Sequence, residues 1–360
     1  MECRFPWRPA RRADLALVTV AAMLVTIAAT MVAVTAAFAG GSPSSGGVSS
    51  SPAAGQSTDR FPVLRARVQA WLSNQPVEER IIAPMLVKRT IVDDWETQRS
   101  RYQLVSVRQP QDDSLAGHIP HSINVSWPAL LDSANLARID SSRTLVLSCY
   151  YGHASMLCCT ILGLLGYRCL SVGFGMMGWN LSALVKPPWD QESDYPVESG
   201  PGSLQAAAYA LPVLESKESD PRAVVRQRAE AYFGTQGSPV IEAAKVKSIL
   251  DDWDRRKSEY QIVSVESKEA YAHGHVPHAL DIPLSTLADS ASLRALDPAK
   301  TTIAYSDNGQ TGQCAATVLN LLGYKAVAMK FGMMDWNRSC VADSMLWHGA
   351  PWFPVEEGRD

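Results

Sequence analysis

Past residue 60 the chain alternates between short apolar runs and longer stretches with helical spacing. Residues 103–107 are short, apolar and rich in strand formers, and residues 122–125 give a second, shorter strand. Residues 144–148, with Leu145-Val146-Leu147 at the centre, predict a third. Residues 155–165 then carry the spacing of a helix and stop at Gly166, a residue suited to ending one, before a further strand at 168–172. Strand, crossover helix, strand predicts an α/β domain with a parallel sheet and helices on both faces. Ligands of such sheets bind beyond the carboxyl ends of the strands.

The pattern is written twice. Ile91-Val92-Asp93-Asp94-Trp95 recurs as Ile249-Leu250-Asp251-Asp252-Trp253, and Gly117-His118-Ile119-Pro120-His121 as Gly274-His275-Val276-Pro277-His278. Phe174-Gly175-Met176-Met177 and Trp179-Asn180 recur as Phe331-Gly332-Met333-Met334 and Trp336-Asn337. Both copies close on Pro-Val-Glu, at Pro196 and Pro354. The offset stays close to 157 residues, which marks a duplicated domain and not a short solenoid repeat. The copies are expected at residues 60–200 and 220–360, joined by a linker at 201–219.

The N-terminus follows another pattern. Arg4, Arg8, Arg11 and Arg12 lie in a basic stretch, residues 1–14, ahead of an uncharged apolar run at 15–39. A spanning helix needs about 20 apolar residues and a signal-peptide core about 7 to 15, so the run is long enough to cross a membrane. The arginines should remain cytoplasmic, which predicts a single-pass membrane protein with its globular part extracytoplasmic. Ala37-Phe38-Ala39 offers a small-residue cleavage site, so export after cleavage near Ala39 is the alternative. Residues 40–59, rich in Gly, Ser, Ala and Pro, read as a disordered linker.

Composition adds exclusions. The net charge is −3 with no basic stretch in the globular part, which argues against a nucleic-acid partner. Seven cysteines, odd in number and irregularly spaced, argue against a disulfide scaffold, and no Cys/His spacing matches a zinc site. His118-x-x-His121 and His275-x-x-His278 invite a metal reading, but the intervening proline opposes helical ligand geometry. No metal and no cofactor is therefore expected. Trp95, Trp179, Trp253 and Trp336 read as core, and Arg108 as structural support.

The turn after the 144–148 strand carries the candidate chemistry: Cys149-Tyr150-Tyr151-Gly152-His153-Ala154-Ser155. A cysteine ending a buried strand just before a helix begins can sit where several backbone N–H groups and the helix N-terminus converge. Such a cradle stabilises a thiolate, or the outer sulfur of a persulfide, without a cationic side chain. Gly152 supplies the backbone angles of a tight ring. Taken alone, a cysteine ending an apolar strand is more often buried and inert. Cys158 and Cys159, on the following helix, read as core, with resolution of a Cys149 disulfide as the sharper alternative. His153 reads as a solvated loop histidine, or else as a proton-transfer or anion-binding group.

Together these motifs resemble the rhodanese family of sulfurtransferases. Leu104-Val105-Ser106-Val107-Arg108 is similar to the family's first strand, usually Leu-Ile-Asp-Val-Arg, and Gly117-His118-Ile119-Pro120 to its Gly-His-Ile-Pro turn. Cys149 falls where the family keeps its persulfide cysteine, and residues 150–155 fall on its active loop. The resemblance implies two tandem rhodanese-like domains and a sulfurtransferase or sulfur carrier. Such a protein takes sulfur from an anionic donor such as thiosulfate or polysulfide and gives it to a thiol acceptor. Three departures stand out. The loop has no arginine or lysine for an anionic donor, and only His153 could become cationic. Ser106 replaces an aspartate. In copy 2 the loop reads Ser306-Asp307-Asn308-Gly309, and a serine cannot hold a persulfide. Copy 2 is therefore expected to be inactive, a scaffold or a surface for a protein partner, and a wholly degenerate binding protein is the alternative function. Related phosphatases need an arginine six residues after the cysteine; Ser155 stands there, which argues against phosphatase chemistry.

Overall fold

The structure, a computed structural model, describes residues 58–190, 193–202, 208–235 and 240–358. The basic and apolar stretch at 1–39 and the tether up to residue 57 lie outside the described residues. Among the described residues no helix is long and apolar enough to cross a membrane.

In copy 1, strands β1 (Ile81–Ile82), β2 (Tyr102–Ser106), β3 (Ile123–Asn124), β4 (Thr144–Ser148) and β5 (Arg168–Val172) pair in parallel in the order β1-β5-β4-β2-β3. Copy 2 repeats this with β6 (Val240–Ile241), β7 (Tyr260–Ser264), β8 (Ala279–Asp281), β9 (Thr301–Tyr305) and β10 (Lys325–Met329), in the order β6-β10-β9-β7-β8. The central strands are apolar on both faces: Leu145, Val146 and Leu147 in β4, and Ile303, Ala304 and Tyr305 in β9, are all buried. This is the expected architecture of two parallel-sheet α/β domains.

Four long helices tie the copies together: α1 (Phe61–Asn74), α2 (His153–Leu165), α3 (Pro221–Thr235) and α4 (Gln310–Leu321). α2 follows β4, ends at Gly166 in the left-handed region as expected, and is buried around almost its whole circumference. Such a helix is apolar all round because it is packed all round. Its main partner is α4, its counterpart in copy 2. One hydrophobic core runs through both, joining Leu157, Ile161 and Leu164 to Cys314, Val318 and Leu321. α1 precedes copy 1 yet reaches copy 2, where Gln69 Nε2 donates to Asp289 Oδ1 at 2.9 Å. α3 precedes copy 2 yet reaches copy 1, where Phe233 meets the edge of Trp127 at 5.7 Å.

The two closing Pro-Val-Glu segments are exchanged. The tail of copy 2 docks on copy 1: Trp179 Nε1 donates to Pro354 O at 2.8 Å, and the amides of His118 and His121 donate to Glu356 O (2.9 Å) and Oε2 (2.7 Å). The tail of copy 1 does the same on copy 2: Trp336 Nε1 donates to Pro196 O at 2.9 Å, and His275 and His278 donate to Glu198 O (2.9 Å) and Oε2 (3.2 Å). The recurring Gly-His-x-Pro-His turns are thus docking sites for the opposite copy's tail. The 60–200 and 220–360 copies are units of sequence that share one body. Thr58 and Asp59, expected as the end of the disordered linker, already belong to that body, since Asp59 Oδ1 accepts from the amides of Phe61 and Leu214, each at 2.9 Å.

Candidate active site

Cys149 directly follows β4, and Gly152, with φ of +94°, caps α2 in the left-handed region. The turn aims the Gly152 N–H at the Cys149 sulfur, 3.1 Å away. No side chain caps α2, so the orphan first-turn amides of His153, Ala154 and Ser155 and the positive end of the helix dipole face the same region. Ser155 Oγ lies 3.4 Å from the sulfur, 3.1 Å from Gly152 O and 2.9 Å from Ser171 Oγ of β5. From below, the turn Gly175–Gly178 holds the loop, with the amides of Met176 and Met177 donating to the carbonyls of Cys149 (2.8 Å) and Tyr150 (3.0 Å). A Cβ on Gly175 would collide with the Cys149 carbonyl, which is the reason for glycine there.

Cys149 is 2 % exposed and is one of the residues that border a cavity of about 500 Å³. Trp127, Tyr150, Tyr151, His153, Ala154 and Pro187 of copy 1 line it, together with Val240, Glu242 and Lys330 of copy 2. The tyrosines are walls with committed hydroxyls: Tyr150 donates to Asp112 Oδ2, and Tyr151 to Pro187 O at 2.7 Å. Burial and the bond to Asp112 push the Tyr150 phenol up, and burial with the charge of Glu242 pushes Tyr151 up to about 12. Both remain protonated at neutral pH.

Two lysines from outside the loop stand at the cavity. Lys186 Nζ lies 4.2 Å from the Tyr150 ring centroid, and Lys330 Nζ lies 5.0 Å from that of Tyr151. Both line the cavity, and Lys330 is 3.1 Å from Glu242 Oε1. Sequence reasoning missed both lysines because one lies far downstream of the loop and the other in the opposite copy. The repeat offered no signal, since Gly173 occupies the position in copy 1 that Lys330 occupies in copy 2.

His153 is corrected. It is neither solvated nor cationic, but buried between the copies, where its Nε2 accepts the Phe331 N–H at 3.2 Å. A backbone N–H can only donate, so Nε2 carries no proton there. Burial, aided by Lys330, lowers the imidazole to about 3. The remaining loop residues, Tyr150 to Ser155, do surround Cys149.

In copy 2, Gly309 repeats the left-handed cap at φ +83°, but the cradle is filled from within. Ser306 Oγ accepts the Gly312 N–H at 3.1 Å, and Asn308 Oδ1 the Gln310 N–H at 3.2 Å. Burial raises the carboxyl of Asp307. No sulfur stands at this focus.

Cys158, Cys159, Cys169, Cys314 and Cys340 are buried. Burial lifts the thiols of Cys158 and Cys169, and that of Cys314 to about 12, so they stay neutral. The histidine pairs do not converge: His121 and His278 stack on Trp95 and Trp253 at 4.6 and 5.1 Å, while His118 lies against Asp113 and His275 against Tyr271. Trp179 and Trp336 are core as expected, but Trp95 and Trp253 are half-buried stacking platforms. Arg108 is fully buried on Asp113 and the carbonyls of Ala183 and Gly117, the supporting role expected of it.

Five parallel strands per copy and a cysteine turn between central strand and covering helix define a doubled α/β protein with one sulfur-centred site. The chain belongs to the rhodanese-like domain family: the model of that domain matches residues 92–182 and 242–339, together just over half of the chain. Among solved structures it is similar to a rhodanese-like domain protein from Staphylococcus aureus, with 26% identity over 27% of this chain and 89% of that one, at a TM-score of 0.24. A thiosulfate sulfurtransferase from Pseudomonas aeruginosa is 16% identical over 81% of this chain and 49% of that one, at a TM-score of 0.27. A search of curated proteins returned no match.

Proposed function

We propose that the protein is a sulfurtransferase or sulfur carrier in which Cys149 is the catalytic nucleophile. The observation that carries the reading is Cys149 on the wall of a cavity of about 500 Å³, with the Gly152 N–H aimed at its sulfur from 3.1 Å and Lys186 and Lys330 on the same wall. The thiolate attacks the sulfane sulfur of an anionic donor such as thiosulfate or polysulfide. The new S–S bond forms as the donor's S–S bond breaks, and that bond's electron pair leaves with sulfite or the shortened polysulfide. The Cys149 persulfide is held by the loop amides until a thiol acceptor removes its outer sulfur. The lysines supply the anion-binding charge, and copy 2 contributes a wall of the site without a nucleophile of its own. In this reading the apolar segment at 15–39 holds the domains outside the cytoplasm.

Intact-protein mass spectrometry after incubation with thiosulfate or polysulfide tests it. The chain gains one sulfur atom, the gain is lost in Cys149→Ala, and it persists in Ser306→Ala. Absence of an adduct with either donor refutes the reading and leaves a binding module.

A further inference from the structure

The copy without a loop cysteine reaches the Cys149 sulfur through a chain of three side chains. Gln310 is the first residue of α4 and fully buried. Its Oε1 lies 3.0 Å from the Phe174 N–H of copy 1. A backbone N–H can only donate, so the oxygen end of the amide must face it and Nε2 must face the other way. That other end lies 3.4 Å from Ser171 Oγ of β5. Ser171 Oγ is 2.9 Å from Ser155 Oγ, which is 3.4 Å from the Cys149 sulfur. Ser155 and Ser171 are as fully buried as Gln310, so bulk solvent does not reach these bonds.

We propose that Gln310 and Ser171 are positioning residues of a directional hydrogen-bond relay, running from copy 2 to copy 1, that turns the Ser155 hydroxyl toward the Cys149 thiolate. The proposal rests on the transferase reading and says what copy 2 does for it.

Direction follows from counting protons. A serine hydroxyl has one proton to give. The Ser155 proton has three acceptors within reach: Gly152 O at 3.1 Å, Ser171 Oγ and the sulfur. The Gln310 amide donates to Ser171, which then spends its own proton on Ser155. With its oxygen already accepting, Ser155 gains nothing by pointing at Ser171. When Cys149 carries negative charge, the hydroxyl turns from the Gly152 carbonyl to the sulfur, because a bond to an ionised acceptor is the stronger one. Without Gln310, Ser171 becomes an acceptor for Ser155 and draws that proton away from the sulfur. No net proton transfer is involved.

Packing supports the assignment. A Cβ on Gly152 would stand 2.6 Å from the Gln310 amide, so Gln310 rests directly on the residue whose N–H meets the sulfur. The same place in copy 1 is His153, which accepts the Phe331 amide as Gln310 accepts that of Phe174, but copy 2 has Ala328 and Gly312 where copy 1 has Ser171 and Ser155, so no hydroxyls continue the chain there. The relay therefore runs one way across the pseudo-twofold arrangement, toward the copy that keeps its cysteine.

The test is the pH profile of Cys149 alkylation by iodoacetamide in the full chain, read at the Cys149 peptide by mass spectrometry. The titratable groups around Cys149 are constant across the variants: Lys186, Lys330, Glu242, His153, Tyr150 and Tyr151 on the cavity, and the Cys158 thiol on α2. Gln310→Met frees Ser171 to accept from Ser155 in competition with the sulfur. It should slow alkylation about three- to tenfold at pH 7 and move the profile to higher pH while leaving the high-pH plateau in place. Ser171→Ala removes the competing acceptor but leaves Ser155 its proton, so alone it should stay near the wild type, and added to Gln310→Met it should restore the profile. A Gln310→Met profile that coincides with wild type while Ser155→Ala shifts, or a double variant that stays shifted, overturns the relay and leaves Cys149 as nucleophile. A uniform loss at every pH in Gln310→Met also overturns it. A wild-type Cys149 that resists alkylation at all pH values sinks the transferase reading as well.

Discussion

Replacing His153 with Gln imports the residue that copy 2 carries at the same place, and it isolates one buried titration. The His153 ring sits between the copies with Nε2 committed to the Phe331 amide, and its value falls from an ordinary 6.5 to about 3. Burial is the main cause, and Lys330 adds to it. The unfolded chain therefore takes up this proton first as pH falls. Stability is fully present above 6.5 and is lost progressively toward 3. Between pH 7 and pH 5 the linkage amounts to about 2 kcal/mol, a sizeable share of the roughly 5–15 kcal/mol that holds a protein folded. Gln can accept the same amide through its side-chain oxygen and does not titrate. Urea unfolding of the wild type and His153→Gln at both pH values measures the difference, and other acid-sensitive groups cancel in the comparison. The gap should shift by about 2 kcal/mol in favour of the variant at pH 5. Parallel losses in the two proteins would refute a neutral, buried imidazole at the seam.

Two further outcomes follow from groups near the site. Asp335, buried and accepting from Trp189 Nε1 at 3.0 Å, is raised by burial from 3.8 to about 6, so its charge opposes folding fully above pH 6, and the penalty fades as pH falls from 6 toward 3.8. Asp335→Asn should stabilise the fold by up to about 3 kcal/mol at pH 7.5, with the advantage gone near pH 4, as read from chemical unfolding midpoints. Lys330→Met should raise the KM for an anionic sulfur donor roughly three- to tenfold, and Glu242→Gln, which releases Lys330 from its ion pair, should lower it. Equal effects of either change on a neutral donor would show that the charges do not act on the substrate.

The sequence by itself determined the duplication, the strand–helix order and the place of the sulfur. Those features are local: apolar runs such as Leu145-Val146-Leu147 must be buried, Gly166 ends a helix wherever that helix lies, and Cys149 stands between a strand and a helix in any fold of this pattern. Only the tertiary structure decided that the Pro-Val-Glu tails change places, that Lys330 and Glu242 of one copy wall the cavity of the other, and that His153 is buried at the seam. Each depends on two apolar helices, α2 and α4, burying their surfaces against one another and so bringing the copies face to face. A repeat in sequence records what each copy shares. It holds no trace of the contact between them, where His153 and Gln310, or Gly173 and Lys330, have diverged to different ends.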